Sequence, residues 1–516
     1  MSLASNIRQW VYLVHRWTGI GGCVLMLLWF VSGIVMLWIG YPKLTPWERL
    51  AALSELSSEC CITSPIFSSD GIGSGEIVLT SVSGHPRYVV STGGRFQVTH
   101  GQTARPLTTP FGEEEAIAAS AAFIATTINA ASPIEESSGT DAYASTRYEG
   151  LIHEDRWTHS RGLDLHRPLH KVTVFATEPL TLYVSSQTGQ VVMDAPLSQQ
   201  RWNYVGAWLH WLYMFRRTSV DPGWTWTVIL LSFTATISAV SGLCVGLWRW
   251  RFGRRYKSGS RSPYREHWMK WHHIAGLLFG GFIFTWIFSG LMSMNPGGVF
   301  SATARPDHVA YQGRISPDIG PLADPSAIIA TLNHTRFRPV ELHWLSVGGR
   351  PYVLAYDRTA ATRLVTLKQG ELSVQQAWDE ADILPAARRL FDAPTADEQV
   401  IRRYEAHYYQ RQAEAMNGAR IHGLPALRLD FLDADRTRIY IDLNTGLVVS
   451  SLSYRQRVGR WLFYFLHSWD LPALLEPKPL RNAILLALSI GGIVVSGAGV
   501  VIGWRRLRRT ARVGRA

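Results

Sequence analysis

Two pairs of histidines recur along this chain at one spacing. His15 and His272 are 257 residues apart, as are His210 and His467, so each half holds its two histidines 195 residues apart. All four stand at the ends of hydrophobic stretches. With 17 histidines in 516 residues, one such coincidence is uncommon and two are rarer. Ionisable groups at membrane depth are costly and by default suggest function. Two equivalent imidazoles, one from each half, suit bis-histidine ligation of an iron porphyrin, with one ring on each face. The bland reading, interfacial histidines bonded to water or backbone, accounts for a single residue better than for two symmetric pairs. His273 competes with His272, since neighbouring helix positions point about 100° apart. Gly19 and Gly276 follow His15 and His272 by four residues, on the same helix face. A glycine there leaves room for a flat macrocycle, or equally for close helix packing. No C-x-x-C-H motif occurs, so a covalently attached haem is not expected.

The elements that must position these residues are legible in the charge pattern. Residues 17–42, 222–248, 271–304 and 482–504 contain no Asp, Glu, Lys or Arg. Each is long and apolar enough to cross a hydrocarbon core of about 30 Å as a helix. That excludes an ordinary soluble enzyme and a disordered chain. The net charge of +12 is concentrated. Residues 249–271 carry eight basic side chains against one acid, Glu266, and the tail after Trp504 carries six and no acid. With Arg8 and Arg16 these exceed the whole net charge, so the basicity points to positive-inside topology and not to nucleic acid. Both termini and the basic loop are expected in the cytoplasm, and the two long loops in the periplasm of a bacterium. The first apolar run is too long for a signal peptide and lacks a small-x-small cleavage site. Cys23 and Cys244 fall in spans, and the adjacent Cys60 and Cys61 are not expected to bridge each other.

Internal repetition accounts for the histidine spacing. At offset 257, Trp29, Ser32 and Gly33 match Trp286, Ser289 and Gly290, and the Tyr183-x-x-x-x-Thr188-Gly189 segment matches Tyr440-x-x-x-x-Thr445-Gly446. Ser241-Gly242 aligns with Ser496-Gly497 at offset 255, and Pro86 with Pro351 at a shifted offset. Each half reads as helix, external α+β domain, helix, and the halves should be related by a two-fold axis along the membrane normal. Hairpins are expected over 77–91 and 340–356, and helices over 113–127 and, interrupted at Pro385, 373–391. His153, His159, His166 and His170 cluster before the first Tyr-x-x-x-x-Thr-Gly segment and read as solvated surface, with a metal site the sharper alternative. His267 reads as wetted. Arg216, Arg217, Arg457 and Arg460 could pair with haem propionates or lipid headgroups.

With these motifs in place, the chain resembles the PepSY-associated transmembrane family of iron-regulated membrane proteins. The resemblance rests on the His15-Arg-Trp-x-Gly opening, the two Tyr-x-x-x-x-Thr-Gly-x-Val-Val segments, the run Arg-Trp-Leu-Phe-Tyr-Phe-Leu-His467, and the closing Ser496-Gly-x-Gly and Gly503-Trp-Arg-Arg. It implies a four-helix transmembrane bundle built from a tandem repeat. Its parts would be a tail and helix at 1–42, a periplasmic PepSY-like domain at 43–221, a helix at 222–248, a basic cytoplasmic loop at 249–270, a helix at 271–296, a second PepSY-like domain at 297–480, a helix at 481–504 and a basic tail at 505–516. It also implies two b-type haems on His15, His272, His210 and His467, and the activity of a di-haem ferric-siderophore reductase. The implied partners are a ferric siderophore or other periplasmic iron chelate, a quinol or cytoplasmic reductase as donor, and membrane lipid. The rival expectation is a non-enzymatic, membrane-anchored PepSY binding or regulatory protein.

Overall fold

The computed structural model describes residues 3–61, 76–131, 145–314, 319–415, 418–476 and 478–513. The chain divides into two compact units, each drawn from both halves of the sequence. One comprises Met1–Gly40, Arg201–Ser301 and Arg455–Ala516, and is helical; the other comprises Tyr41–Gln200 and Ala302–Tyr454, and is built on sheets.

Four long helices make the helical unit: α1 (Leu3–Val35), α2 (Pro222–Arg249), α3 (His267–Ser293) and α4 (Lys478–Val513). All four are long and apolar enough to cross a membrane. Their starts follow local chemistry. Asp221 caps α2 by accepting from Trp224 N, with Pro222 in the first turn where a missing N–H costs nothing. Glu266 likewise accepts from Met269 N, which starts α3 at His267, earlier than the apolar run alone indicates. The expected basic tail is helix through Val513, because arginine is a good helix former. α1 packs along α2 and α4, and α3 along the same two, so α1 and α3 stand at opposite corners of a square.

The sheet unit holds fifteen described strands. β1 (Glu76–Val82), β2 (His85–Thr92) and β3 (Arg95–His100) come from the first half. So do β4 (Ser145–Ile152), β5 (Leu169–Phe175), β6 (Leu180–Ser185) and β7 (Val191–Pro196). The second half supplies β8 (Glu341–Val347), β9 (Arg350–Tyr356), β10 (Thr362–Lys368) and β11 (Glu371–Gln375). It also supplies β12 (Thr395–Ile401), β13 (Ala426–Phe431), β14 (Arg438–Asp442) and β15 (Leu447–Leu452). Both expected hairpins are present, as β1–β2 and β8–β9.

The two loops, read from the sequence as separate domains, share one sheet. Its strand order is β11-β10-β9-β8-β1-β2-β3, and it is continuous across the antiparallel β1–β8 seam. The hairpins close at Val82 and at Val347, an offset of 265. At that offset Val78 and His343 are equivalent residues, and they pair with each other, so a local two-fold axis passes through the seam. β4–β7 and β12–β15 form a four-stranded antiparallel sheet in each half.

Two expectations fail here. The segment 373–391 is not one interrupted helix: Ser373–Gln375 belongs to β11, whose Leu372 and Val374 pack on the central core, and only Glu380–Ala387 is α-helical. Cys60 and Cys61 do bridge each other, and both are buried against Ile77, Leu79 and Trp344.

Candidate functional site

The four repeated histidines meet as two pairs inside the helical unit. The His15 and His272 rings, on α1 and α3, have centroids 6.2 Å apart and planes at 32°. The His210 and His467 rings have centroids 6.1 Å apart and planes at 76°. Seventeen residues of α1 separate His15 from Ser32, which bonds His210, a helical rise of about 25 Å. The space between holds Phe30, Ala235, Ile283 and Ile287, with Trp29, Phe279 and Trp286 packed against them. Gly491 and Gly492 of α4 admit this plug, since a Cβ on either would run into Phe279 or Phe30.

Each ring is fixed through Nδ1. His15 Nδ1 is 3.1 Å from Ser238 O on α2, and His272 Nδ1 is 3.0 Å from Val495 O on α4. Ser238 and Val495 are themselves 257 apart. A carbonyl oxygen only accepts, so both Nδ1 atoms carry the proton. His210 Nδ1 is 3.0 Å from Ser32 Oγ and His467 Nδ1 is 2.9 Å from Ser289 Oγ. Each serine hydroxyl already donates to its own helix, to Trp29 O and Trp286 O, so its oxygen accepts from the imidazole. All four rings therefore present an unprotonated Nε2, and none of these Nε2 atoms has a hydrogen-bond partner among the described residues. This is the arrangement of an imidazole ligand: one nitrogen held, the other a lone pair.

His210 and His467 reach their places by different backbone routes. The first half breaks at Gly206 between the short helices Leu197–Val205 and Ala207–His210. A Cβ on Gly206 would stand 3.1 Å from Val35 Cγ1. The second half continues through a π-helical turn at Trp461–Phe465 into Leu466–Ser468. Such turns insert one extra residue and often mark functional sites. Two residues after each histidine, Leu212 and Trp469 both adopt a left-handed conformation, φ 55°. That strain, costly for a non-glycine residue, recurs at the same place in both halves. Trp224 Nε1 then donates to Trp211 O, and Arg481, at the equivalent position, donates to Ser468 O.

The rival ligand is otherwise engaged. His273 is buried with Nδ1 2.8 Å from Ser262 Oγ and Nε2 2.9 Å from Gly246 O, tying the basic loop to α2. His267 is exposed on the first turn of α3, as expected. A Cβ on Gly19 would meet Ser238 Oγ at 3.7 Å, and one on Gly276 would meet nothing within 4 Å, so the space at Gly276 is open. The glycines against the histidines are Gly33, Gly290, Gly242 and Gly499, whose Cβ atoms would lie 3.8, 3.9, 2.6 and 3.6 Å from a ring Cε1. The sequence carried a signal for Ser32, Ser289, Gly33 and Gly290, which are identities in the repeat. The Ser-Gly match at offset 255 pairs Gly242 with Gly497, whereas the fold places Gly499 opposite the histidine, at the offset of 257 kept throughout the site.

The other sequence candidates are structural. His159 bonds Glu154, His166 bonds Ser185, and buried His170 bonds Tyr148 and Phe111 O, so of that cluster His153 is the one left exposed. Burial lowers the pKa of His166 to about 4, which keeps it neutral. Among the described residues no three His, Cys, Asp or Glu side chains gather as a metal-chelating set. Arg216 lies over the Tyr213 and Trp224 rings and bonds Ser219 O.

Compared with known proteins, the chain matches no family model and no curated sequence. The geometry itself can be tested against a cofactor. Metal–imidazole nitrogen bonds are about 2 Å long, so one metal between two facing imidazoles holds their centroids about 6 Å apart. Both pairs have that separation. The bundle residues thus fit two bis-imidazole metal groups, one toward each end.

Proposed function

We propose that this chain is a di-haem b-type electron-transfer protein of the PepSY-associated family, set in the bacterial inner membrane. In this reading the basic loop and both termini are cytoplasmic and the sheet unit is periplasmic, where ferric siderophores are reduced with electrons from a quinol or a cytoplasmic reductase. The observation that carries it is the spacing of the two imidazole pairs, 6.2 and 6.1 Å, with every Nδ1 anchored and every Nε2 without a hydrogen-bond partner among the described residues.

His15 and His272 would hold one haem and His210 and His467 the other. Haem supplies reversible one-electron chemistry whose potential depends on its axial ligands and their hydrogen bonds. The chain's own residues act on those ligands. Ser238 O and Val495 O draw on the Nδ1 protons of one pair, which raises the basicity of Nε2. Ser32 and Ser289 do the same for the other pair through hydroxyl oxygens. The Phe30, Ile283 and Ile287 plug keeps water out of the space between the two sites. The sequence has no C-x-x-C-H motif for thioether attachment, which is why the b type is assigned.

A dithionite-reduced absorbance spectrum with a haem count per chain tests the proposal. Two extractable haems per chain support it. A preparation from haem-supplemented cells with no Soret band overturns it, leaving the anchored PepSY binding or regulatory protein. For the activity, anaerobically reduced protein is mixed with a ferric trihydroxamate; reoxidation on mixing supports reduction of chelated iron, and a stable reduced spectrum refutes it.

A further inference from the structure

The two halves of the sheet unit are built alike but packed differently. In the second half one apolar core runs from Val347, Tyr352 and Leu354 on β8–β9, past Trp378 and Ile383, to Leu427 and Ile439 on β13–β14. In the first half the helix Glu113–Ala131 and sheet β4–β7 form a core around Ala119, Phe123, Val172 and Leu182, which takes no described residue from β1–β3. Between that core and the β1–β3 face lies a cavity of about 370 Å³. Its walls include Val82, Val89, Phe96 and Phe123.

Side-chain size at equivalent positions explains the difference. At offset 265, Leu354 corresponds to Val89 and Tyr356 to Ser91. Tyr356 lies across the His343 ring, centroids 5.3 Å apart, whereas Ser91 leaves the matching space open.

The floor of the cavity is charged and internally balanced. Arg49 grips Glu341 through two bonds, 2.6 and 2.7 Å. His343 bridges the two-fold-related carboxylates, with Nε2 2.7 Å from Glu341 and Nδ1 2.9 Å from Glu76. Burial works against a charge on His343, but Glu341 and Glu76 outweigh it and raise its pKa to about 9. Two cations thus face two anions. The Glu341 side chain is 1% exposed, whereas those of Arg49 and Glu76 are 34% and 53% exposed. The cavity is therefore offered one guanidinium and one carboxylate beside apolar walls, with no net charge.

We infer that this first-half cavity binds an amphipathic zwitterion of amino-acid or dipeptide size, its carboxylate on Arg49, its ammonium on Glu76, and its apolar part against Val89 and Phe96. A singly charged ligand would meet a like charge on the same floor, and a neutral apolar one would take water from the exposed sides of Arg49 and Glu76 without supplying a polar partner, which is costly. The volume lies at the small end of the range for ligand sites, roughly 300–1,000 Å³. Among the described residues of the second half, Leu354 and Tyr356 take the places of Val89 and Ser91 and pack on its core.

The test is calorimetric titration of the full-length protein with leucyl-leucine and with N-acetyl-leucyl-leucine amide, which keeps the side chains but lacks both charges. The dipeptide should bind, the blocked form at least about tenfold more weakly, and Ser91→Tyr, which installs the second half's residue, should weaken dipeptide binding by at least about tenfold. Val89→Leu, the gentler plug, gives a second reading should Ser91→Tyr fail to fold. No binding of the dipeptide to the native chain, equal binding of the blocked form, or undiminished binding in a folded plugged variant each overturns the inference.

Discussion

Gly242→Ala should remove one haem from the chain, whereas Gly499→Ala should remove none. The two glycines are equivalent, each on the helix whose carbonyl holds the neighbouring histidine. A Cβ on Gly242 would stand 2.6 Å from His15 Cε1 and 3.0 Å from its Nδ1, while one on Gly499 would stand 3.6 Å from His272 Cε1. Carbon atoms settle at about 3.5–4.0 Å, so His15 must retreat by about 1 Å and His272 need not move. Overpacking of this kind costs about 1–3 kcal/mol, and the displaced ring also loses its bond to Ser238 O, worth about 1 kcal/mol. The sum, about 2–4 kcal/mol, corresponds to a roughly 30- to 700-fold weaker site. Titrating apoprotein with hemin and following the Soret band gives the stoichiometry and affinity of each variant. Native affinity for two haems in Gly242→Ala would refute the placement of His15 against that glycine. Equal loss in Gly499→Ala would refute the asymmetry argument.

Other outcomes are expected. His15→Ala and His272→Ala should affect one and the same haem, and His210→Ala and His467→Ala the other, read as haem counts and spectra; loss of different haems by His15→Ala and His272→Ala would break the pairing. The oxidised protein should give two distinct low-spin ferric EPR signals, because planes at 32° and 76° split the iron d orbitals differently; a single signal integrating to both haems would contradict those angles. Glu341→Gln should destabilise the sheet unit by roughly 3–5 kcal/mol, since it leaves Arg49 and His343 without their buried anion, and a melting curve unchanged from native would count against that network. His343 is protonated more readily folded than unfolded, so its contribution is fully present below about pH 6.5 and is lost as pH rises through about 9. Thermal melts from pH 6.5 to 9.5 should show native stability falling by up to about 3 kcal/mol, and a flatter profile in His343→Gln.

The histidine pairs were legible because a duplication writes the same residue twice, and because long apolar runs can only be helices where water is excluded. The same repeat register carried Ser32 with Ser289 and Gly33 with Gly290, although only the fold shows what they touch. Local caps such as Asp221-Pro222 and the hairpins at 76–92 and 341–356 depend on neighbouring residues and were equally readable. By contrast, the segment 373–391 misled, since a strand edge joining a sheet is decided by partners far away in sequence.

What the sequence determined by itself is therefore periodic or repeated: four apolar helices, two similar halves, and two candidate ligand pairs. What only the tertiary structure decided is which nitrogen each ring keeps free, that both ring nitrogens of His273 are bonded, and that the two loops join in a single sheet through Val78 and His343. The free nitrogens and the shared sheet depend on contacts between residues 178 to 265 positions apart, and His273 is held by partners 11 and 27 positions away on other elements. No local pattern encodes such contacts, because the distance between partners is set by how helices and strands pack and not by the identities of their neighbours. The open first-half cavity has the same origin: Ser91 and Tyr356 differ in size by one substitution, but only the packed halves reveal the space that the difference leaves.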